Sequence, residues 1–190
     1  MKFDIKKVAH AILFFQQQGV QHLAKTKLMK LMFYTDKYHL QTYMRPVFQD
    51  VYFKLPHGPV PTLTLNVINS VNEMENDDLQ ELVDAFLSVV SVEEKYTAQY
   101  RSTVFSPNGV SFDARLFSRS ELQVLEQVAN EFKTITAKAI SEKSHAEPEY
   151  ENSEMNAEIQ YGLMAPSSAD FIQFIAAEQA DLNKAIKVTH

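Results

Sequence analysis

The feature that most limits how this chain can fold is a helix-forming run, Lys27 to Tyr43, leading into the stiff segment Leu55-Pro56-His57-Gly58-Pro59-Val60-Pro61. Leu28, Leu31, Met32 and Thr35 form one face of the run, Met29, Phe33 and Leu40 another, and Tyr34 and Tyr38 lie between. A helix that is apolar nearly all round must be buried by several neighbours. Thr26 is the expected N-cap, and Pro46 ends the run by disfavouring helical conformation in Arg45. In the segment that follows, each proline fixes one φ angle and restricts the residue before it, while Gly58 supplies conformations that other residues avoid. The segment is therefore preorganised.

The flanking pattern predicts a mixed, mostly helical α+β fold: a central buried helix surrounded by helices, with a small antiparallel sheet or hairpin. A first helix is expected over Asp4 to Gln18, where Ile5, Val8, Ala9, Ile12 and Phe15 recur at three- and four-residue steps before Gly19. Val51 to Lys54 reads as a short strand. A third helix is expected from Pro61 or Thr62 through Val71, and a fourth from about Asp78 to Val90. Thr97 to Phe105 and Val110 to Leu116, separated by Ser106-Pro107-Asn108-Gly109, read as a β-hairpin. Ser118-Arg119-Ser120-Glu121 has capping-box spacing and opens a helix carrying Leu122, Leu125, Val128 and Phe132. A short helix from about Thr136 to Lys143 follows. Residues 146–162 are acidic and read as a loop, and Ser167-Ser168-Ala169-Asp170 opens a terminal helix with Phe171, Phe174 and Ile175.

With 190 residues the chain suits one domain with a real core. The absence of cysteine rules out disulfides, thiolate metal sites and cysteine nucleophiles, and fits a reducing compartment, so a cytoplasmic location is expected. The N-terminal apolar stretch, Val8 to Phe15, is short, contains His10 and lacks a small-residue cleavage site, so it reads as a helix rather than a signal peptide. No apolar run approaches the roughly 20 residues of a membrane span. The formal charge of −6 is unevenly spread: residues 1–60 carry +6 and the remainder −12. Segregated charge steers encounter and selects partners.

Signatures of chemistry are missing. His10, His22, His39, His57, His145 and His190 show no paired-ligand spacing, and with four glycines there is no phosphate-cradling loop and no nucleophile elbow. The carboxylate runs Asp77-Asp78, Glu93-Glu94 and Glu147, Glu149, Glu151 read as solvated surface. No catalytic, cofactor-binding or metal-binding residue is assigned, and the chain is expected not to be an enzyme. His57, in a rigid turn, suits either a partner contact or a local carbonyl. Lys25, Lys27, Lys30 and Lys37 give the central helix an expected exposed basic edge. The overall negative charge and the lack of a helix-turn-helix or zinc-finger pattern argue against nucleic acid.

Lys27-Leu28-Met29-Lys30-Leu31-Met32-Phe33-Tyr34, with Asp36 and Tyr38 after it and then His57-Gly58-Pro59-Val60, resembles the Panacea-domain family of SocA-like and phage-associated GepA-like proteins. The resemblance includes the Val8-Ala9 helix, Ser120-Glu121, His145 and Pro148, and spans about Phe3 to Tyr150. It departs where Phe53 and Leu55 stand near a position that is often alanine, and where Glu149 intervenes between Pro148 and Tyr150. The resemblance implies residues 1–150 as a Panacea-like domain, with residues 151–190 as a C-terminal loop and helix packed on it. It also implies an antitoxin of a toxin–antitoxin system that neutralises a cognate toxin, encoded by an adjacent gene, through direct protein–protein binding, with no cofactor. The expected contact surface is Lys30, Lys37, Tyr38, His57, Gly58, Pro59 and Val60, since a rigid turn lowers the ordering cost of binding. The alternatives are a proteolytic adaptor that delivers the toxin to a protease or unfoldase, with residues 146–162 as tether, and a nucleic-acid-binding regulator using the basic N-terminal third.

Overall fold

The computed structural model describes residues 3–71, 77–96, 101–165 and 177. Helix α1, Ile5–Gln17, starts at Asp4, whose carboxylate accepts from the Lys6 and Lys7 N–H groups. It ends before Gly19, which adopts φ +72°. Helix α2, Lys25–Tyr43, is buried on almost every side from Lys27 to Lys37, as its sequence requires. Its N-cap is Ala24 rather than Thr26. Ala24 is extended and forms a β-bridge with Val104, so tertiary pairing sets the helix start two residues before the side chain with capping potential. Met44, at φ 61°, closes the helix in left-handed conformation, donating its N–H to the Leu40 carbonyl.

The stiff segment is half of a hairpin. Strands β1, Tyr52–Leu55, and β2, Gly58–Pro61, pair antiparallel with Leu55 opposite Gly58, leaving Pro56 and His57 at the tip. Two prolines in a strand are tolerated because β2 is an edge strand whose other side rests on α2. The outer edge of β1 is also occupied. Lys54 donates to the Ala157 carbonyl, Asn156 to the Lys54 carbonyl and Ile159 to the Tyr52 carbonyl. The expected 146–162 loop is thus a strap across the hairpin, begun by the short helix α7, Pro148–Glu151, and this backbone pairing removes it as a free tether.

Helix α3, Thr62–Ser70, follows β2 directly, and its first N–H groups are capped by Asp50 from before β1. Asp50 accepts from the Leu63 and Thr64 amides at 2.9 Å and from the Thr64 hydroxyl at 2.7 Å. Helix α4, Gln80–Leu87, leads into β3, Val90–Tyr96, which pairs with β4, Arg101–Pro107. The second hairpin therefore lies one strand earlier than expected. Asn108 donates its backbone N–H to Val89 and its side-chain amide to Leu87, so Pro107-Asn108-Gly109 ties off β4 against α4 instead of turning into another strand. The expected strand over Val110 to Leu116 ends in a short 3-10 turn, Ala114–Leu116, capped by Asp113. Helix α5, Arg119–Glu131, carries the full Ser118/Glu121 capping box. Helix α6, Ala137–His145, starts from Thr136, and α8, Tyr161–Met164, lies beside α2. The expected terminal helix lies outside the described residues.

The fold is α+β and mostly helical, with two two-stranded antiparallel sheets among the described residues. Its core runs along α2: Ile12 and Phe15 of α1, Leu125 and Val128 of α5, Phe132, and Phe86 and Val90 are all buried in one cluster with Leu28, Leu31, Met32 and Phe33. Phe132 stacks on Tyr34 at 4.6 Å between ring centres. No helix among the described residues is long and apolar enough to cross a membrane.

Candidate functional site: the tip hairpin and its anchors

The β1–β2 hairpin is fastened from below. Gly58 adopts φ +101°, and a Cβ built there would stand 2.5 Å from Ser144 Oγ and 2.8 Å from Lys30 Cε. Only a residue without a side chain permits this approach to α2 and α6. The Lys30 amine donates to the Pro59 carbonyl at 2.8 Å. Tyr150 donates its hydroxyl to the Leu55 carbonyl at 2.8 Å, with the His145 ring stacked on it and the Lys54 ammonium 4.6 Å from its ring centre. Of the segment His57 to Val60, only His57 is exposed; Gly58, Pro59 and Val60 are buried.

The exposed basic edge expected on α2 does not form. Lys30 is 1% exposed, and Lys37, at 7%, lies under Glu147 and Glu149, ion-paired to both. Lys27 is buried too, donating to the Gln21 and Ile135 carbonyls. Tyr38 is half-buried and donates to Glu131, itself paired with Lys143. Burial, reinforced by Glu131, pushes the Tyr38 hydroxyl above its ordinary value. The surface at Tyr38 is therefore framed by carboxylates as well as by a lysine.

Burial pushes the Lys30 amine down to about 7. In the unfolded chain its value is the ordinary 10.5, so between the two the unfolded state binds more protons and stability must rise with pH. Lys30→Met removes that titration. Chemical denaturation at pH 7 and pH 9 should show the parent gaining about 2–3 kcal/mol relative to Lys30→Met, from about 1.4 kcal/mol per pH unit. Parallel stability curves for the two proteins would refute the assignment.

Beneath the hairpin lies a buried polar knot that is inconspicuous in the sequence. Asp36 Oδ1 accepts from the Val47 and Phe48 N–H groups at 2.7 and 2.8 Å, and Oδ2 accepts from the Tyr52 hydroxyl at 2.9 Å. The Tyr161 hydroxyl stands 3.1 Å from Oδ2 and 2.7 Å from the Asp50 carbonyl. Burial drives Asp36 up to about 7 and Asp50 up to about 6, against the hydrogen bonds that favour their ionised forms. Asp36, Asp50, Tyr52, Ser144, Glu149, Tyr150 and Tyr161 are the anchors that sequence reasoning left out. The available signal was Asp36, the single carboxylate within the enclosed run Lys27 to Tyr43. Among the described residues no group of three or more His, Asp or Glu converges as a metal site would require.

The arrangement is a scaffold that holds an exposed tip, Pro56 and His57, against α2 and α6, while Tyr38 lies further along α2 beside Glu131. A family model described as "Antitoxin SocA-like, Panacea domain" matches residues 28–151, about two thirds of the chain. The chain belongs to this family. The match takes in α2 from Leu28 onward, both hairpins and α5 to α7, so Lys30, Lys37, the hairpin and the anchors Asp36, Asp50, Tyr52, Ser144, Glu149 and Tyr150 fall within the family's domain, while Lys27 and Tyr161 lie just outside it. No curated protein and no solved structure matches the chain.

Proposed function

We propose that this protein is an antitoxin that neutralises a cognate toxin by direct binding, acting without catalysis. The family match over residues 28–151 carries the reading. The anchored hairpin supports it physically, because a tip that is already ordered loses little conformational freedom when a partner docks. Within the contact surface expected from sequence, His57 and Tyr38 are the members available to touch a partner; Lys30, Gly58 and Pro59 serve by holding the tip.

Co-expression with the product of the adjacent gene tests the function. Growth arrest by the neighbour alone and recovery in the presence of this chain is the expected result, and a neighbour that stays toxic overturns it. His57→Ala combined with Tyr38→Ala tests the surface separately. His57 is exposed, whereas Tyr38 packs partly on the core and bonds Glu131, so the pair should cost about 1–3 kcal/mol, and retained folding is checked by denaturation alongside. Binding to the toxin should weaken by tenfold or more, and unchanged affinity in a titration would move the contact elsewhere.

A further inference from the structure

The strap covers the outer edge of β1, β2 rests on α2, and β4 bridges to Ala24 through Val104. Strand β3 is different: beyond β4, no backbone group among the described residues pairs with it. An open edge is a row of N–H and C=O groups that another strand can join. Along β3, Val90 is buried and Val92 half-buried, whereas Ser91, Glu93 and Lys95 are exposed and share the opposite face. Tyr96, at the end of the strand, is 70% exposed, more than any other large apolar side chain described.

Two identical strands that pair antiparallel are related by a two-fold axis, and the position of the axis decides which side chains meet. With the axis at Glu94, Glu93 of each copy stands opposite Lys95 of the other, giving two cross-chain ion pairs on the exposed face. On the other face Tyr96 stands opposite Val92 of the second copy, an aromatic and β-branched pair that covers part of the exposed ring. Glu94 meets its own copy, but its carboxylate accepts from Arg101 Nε at 2.9 Å and from the Thr103 hydroxyl at 2.7 Å, so its charge is already matched within each chain. Moving the axis to Glu93 or to Lys95 sets like charges opposite each other on the exposed face, so the charge pattern selects one register. We propose that β3 is a self-association edge: two copies of the chain join β3 to β3 about Glu94 and form one four-stranded antiparallel sheet. A ladder over Val92 to Tyr96 is smaller than the interface of a stable complex, so the dimer is readily reversible. The proposal does not depend on toxin neutralisation.

Sedimentation equilibrium of the full chain, from a few micromolar to several hundred micromolar at physiological salt, tests it. The parent should move from monomer toward dimer over that range. In Glu93→Lys both cross-chain pairs become lysine against lysine, and in Lys95→Glu both become carboxylate against carboxylate, so each variant should dissociate about tenfold more readily than the parent. Mixed in equal amounts, the two variants face each other with opposite charges at both pairs and should associate at least as tightly as the parent. Both side chains project into solvent, so thermal denaturation of each variant should match the parent and show that folding is intact. A parent that stays monomeric throughout overturns the proposal. So does self-association that neither substitution weakens, or a mixture that associates no more tightly than its components, either of which would place the contact on another face.

Discussion

Asp36→Ala should be the most damaging single substitution in the molecule, lowering stability by about 3–5 kcal/mol in urea denaturation. The change strands the Val47 and Phe48 N–H groups and the Tyr52 hydroxyl, all of which donate to the Asp36 carboxylate in a site closed to water. Each buried donor left without an acceptor costs about 1–3 kcal/mol. Asp36→Asn keeps the Oδ1 acceptor, and the Tyr52 and Tyr161 hydroxyls can turn to accept from the new amide, so its cost should be nearer 1–2 kcal/mol. The two variants also separate geometry from charge. Because the folded value of Asp36 is raised to about 7 from 3.8, the unfolded chain ionises first and the Asp36 contribution to stability falls as pH rises from about 4 to about 7. Asp36→Asn should remove that fall, at about 1.4 kcal/mol per pH unit. A difference between parent and Asp36→Asn that does not vary with pH would mean that the carboxylate titrates normally.

Gly58→Ala should cost about 2–4 kcal/mol and loosen the tip hairpin. Two penalties combine: a non-glycine residue forced to φ +101°, and a methyl group driven to 2.5 Å from Ser144 Oγ and 2.8 Å from Lys30 Cε. Ser144→Ala in the same chain removes one clash and should restore about 1 kcal/mol, leaving the backbone strain in place. Thermal denaturation of the parent and the two variants measures this directly. A Gly58→Ala protein as stable as the parent would mean that the hairpin can slide away from α2 and α6 without loss. In either case Gly58→Ala perturbs the scaffold rather than a contact surface, which is why His57 and Tyr38 are the proper probes of binding.

Much of the fold was legible because it is written locally. The extent of α1 before Gly19, the Ser118/Glu121 capping box and the three- and four-residue apolar steps of α1 and α5 are decided within one or two turns, and the structure keeps them. The burial of α2 followed from its lack of a polar face. Strand pairing was less legible, since Pro59 and Pro61 disguise β2. The Ser106-Pro107-Asn108-Gly109 signal marks the end of β4 where it looked like the middle of a hairpin. The site was the least legible. Lys30 and Lys37 read as an exposed edge because nothing near them in sequence announces their partners. Pro59 lies 29 residues beyond Lys30, and Glu147 lies 110 beyond Lys37.

The sequence by itself determined that a helix from Lys27 to Tyr43 would be enclosed, that a stiff segment from Leu55 to Pro61 would follow it, and that both resemble one family. Those properties rest on side-chain periodicity and on the allowed φ angles of glycine and proline, which each residue carries wherever it is placed. Tertiary structure alone decided which charges would be hidden and what the turn would stand on. Burial of an amine or a carboxylate is tolerated only where distant groups supply its hydrogen bonds. The turn that opened the sequence as a stiff segment is thus held from beneath by Lys30, Ser144 and Tyr150, with His57 left facing outward.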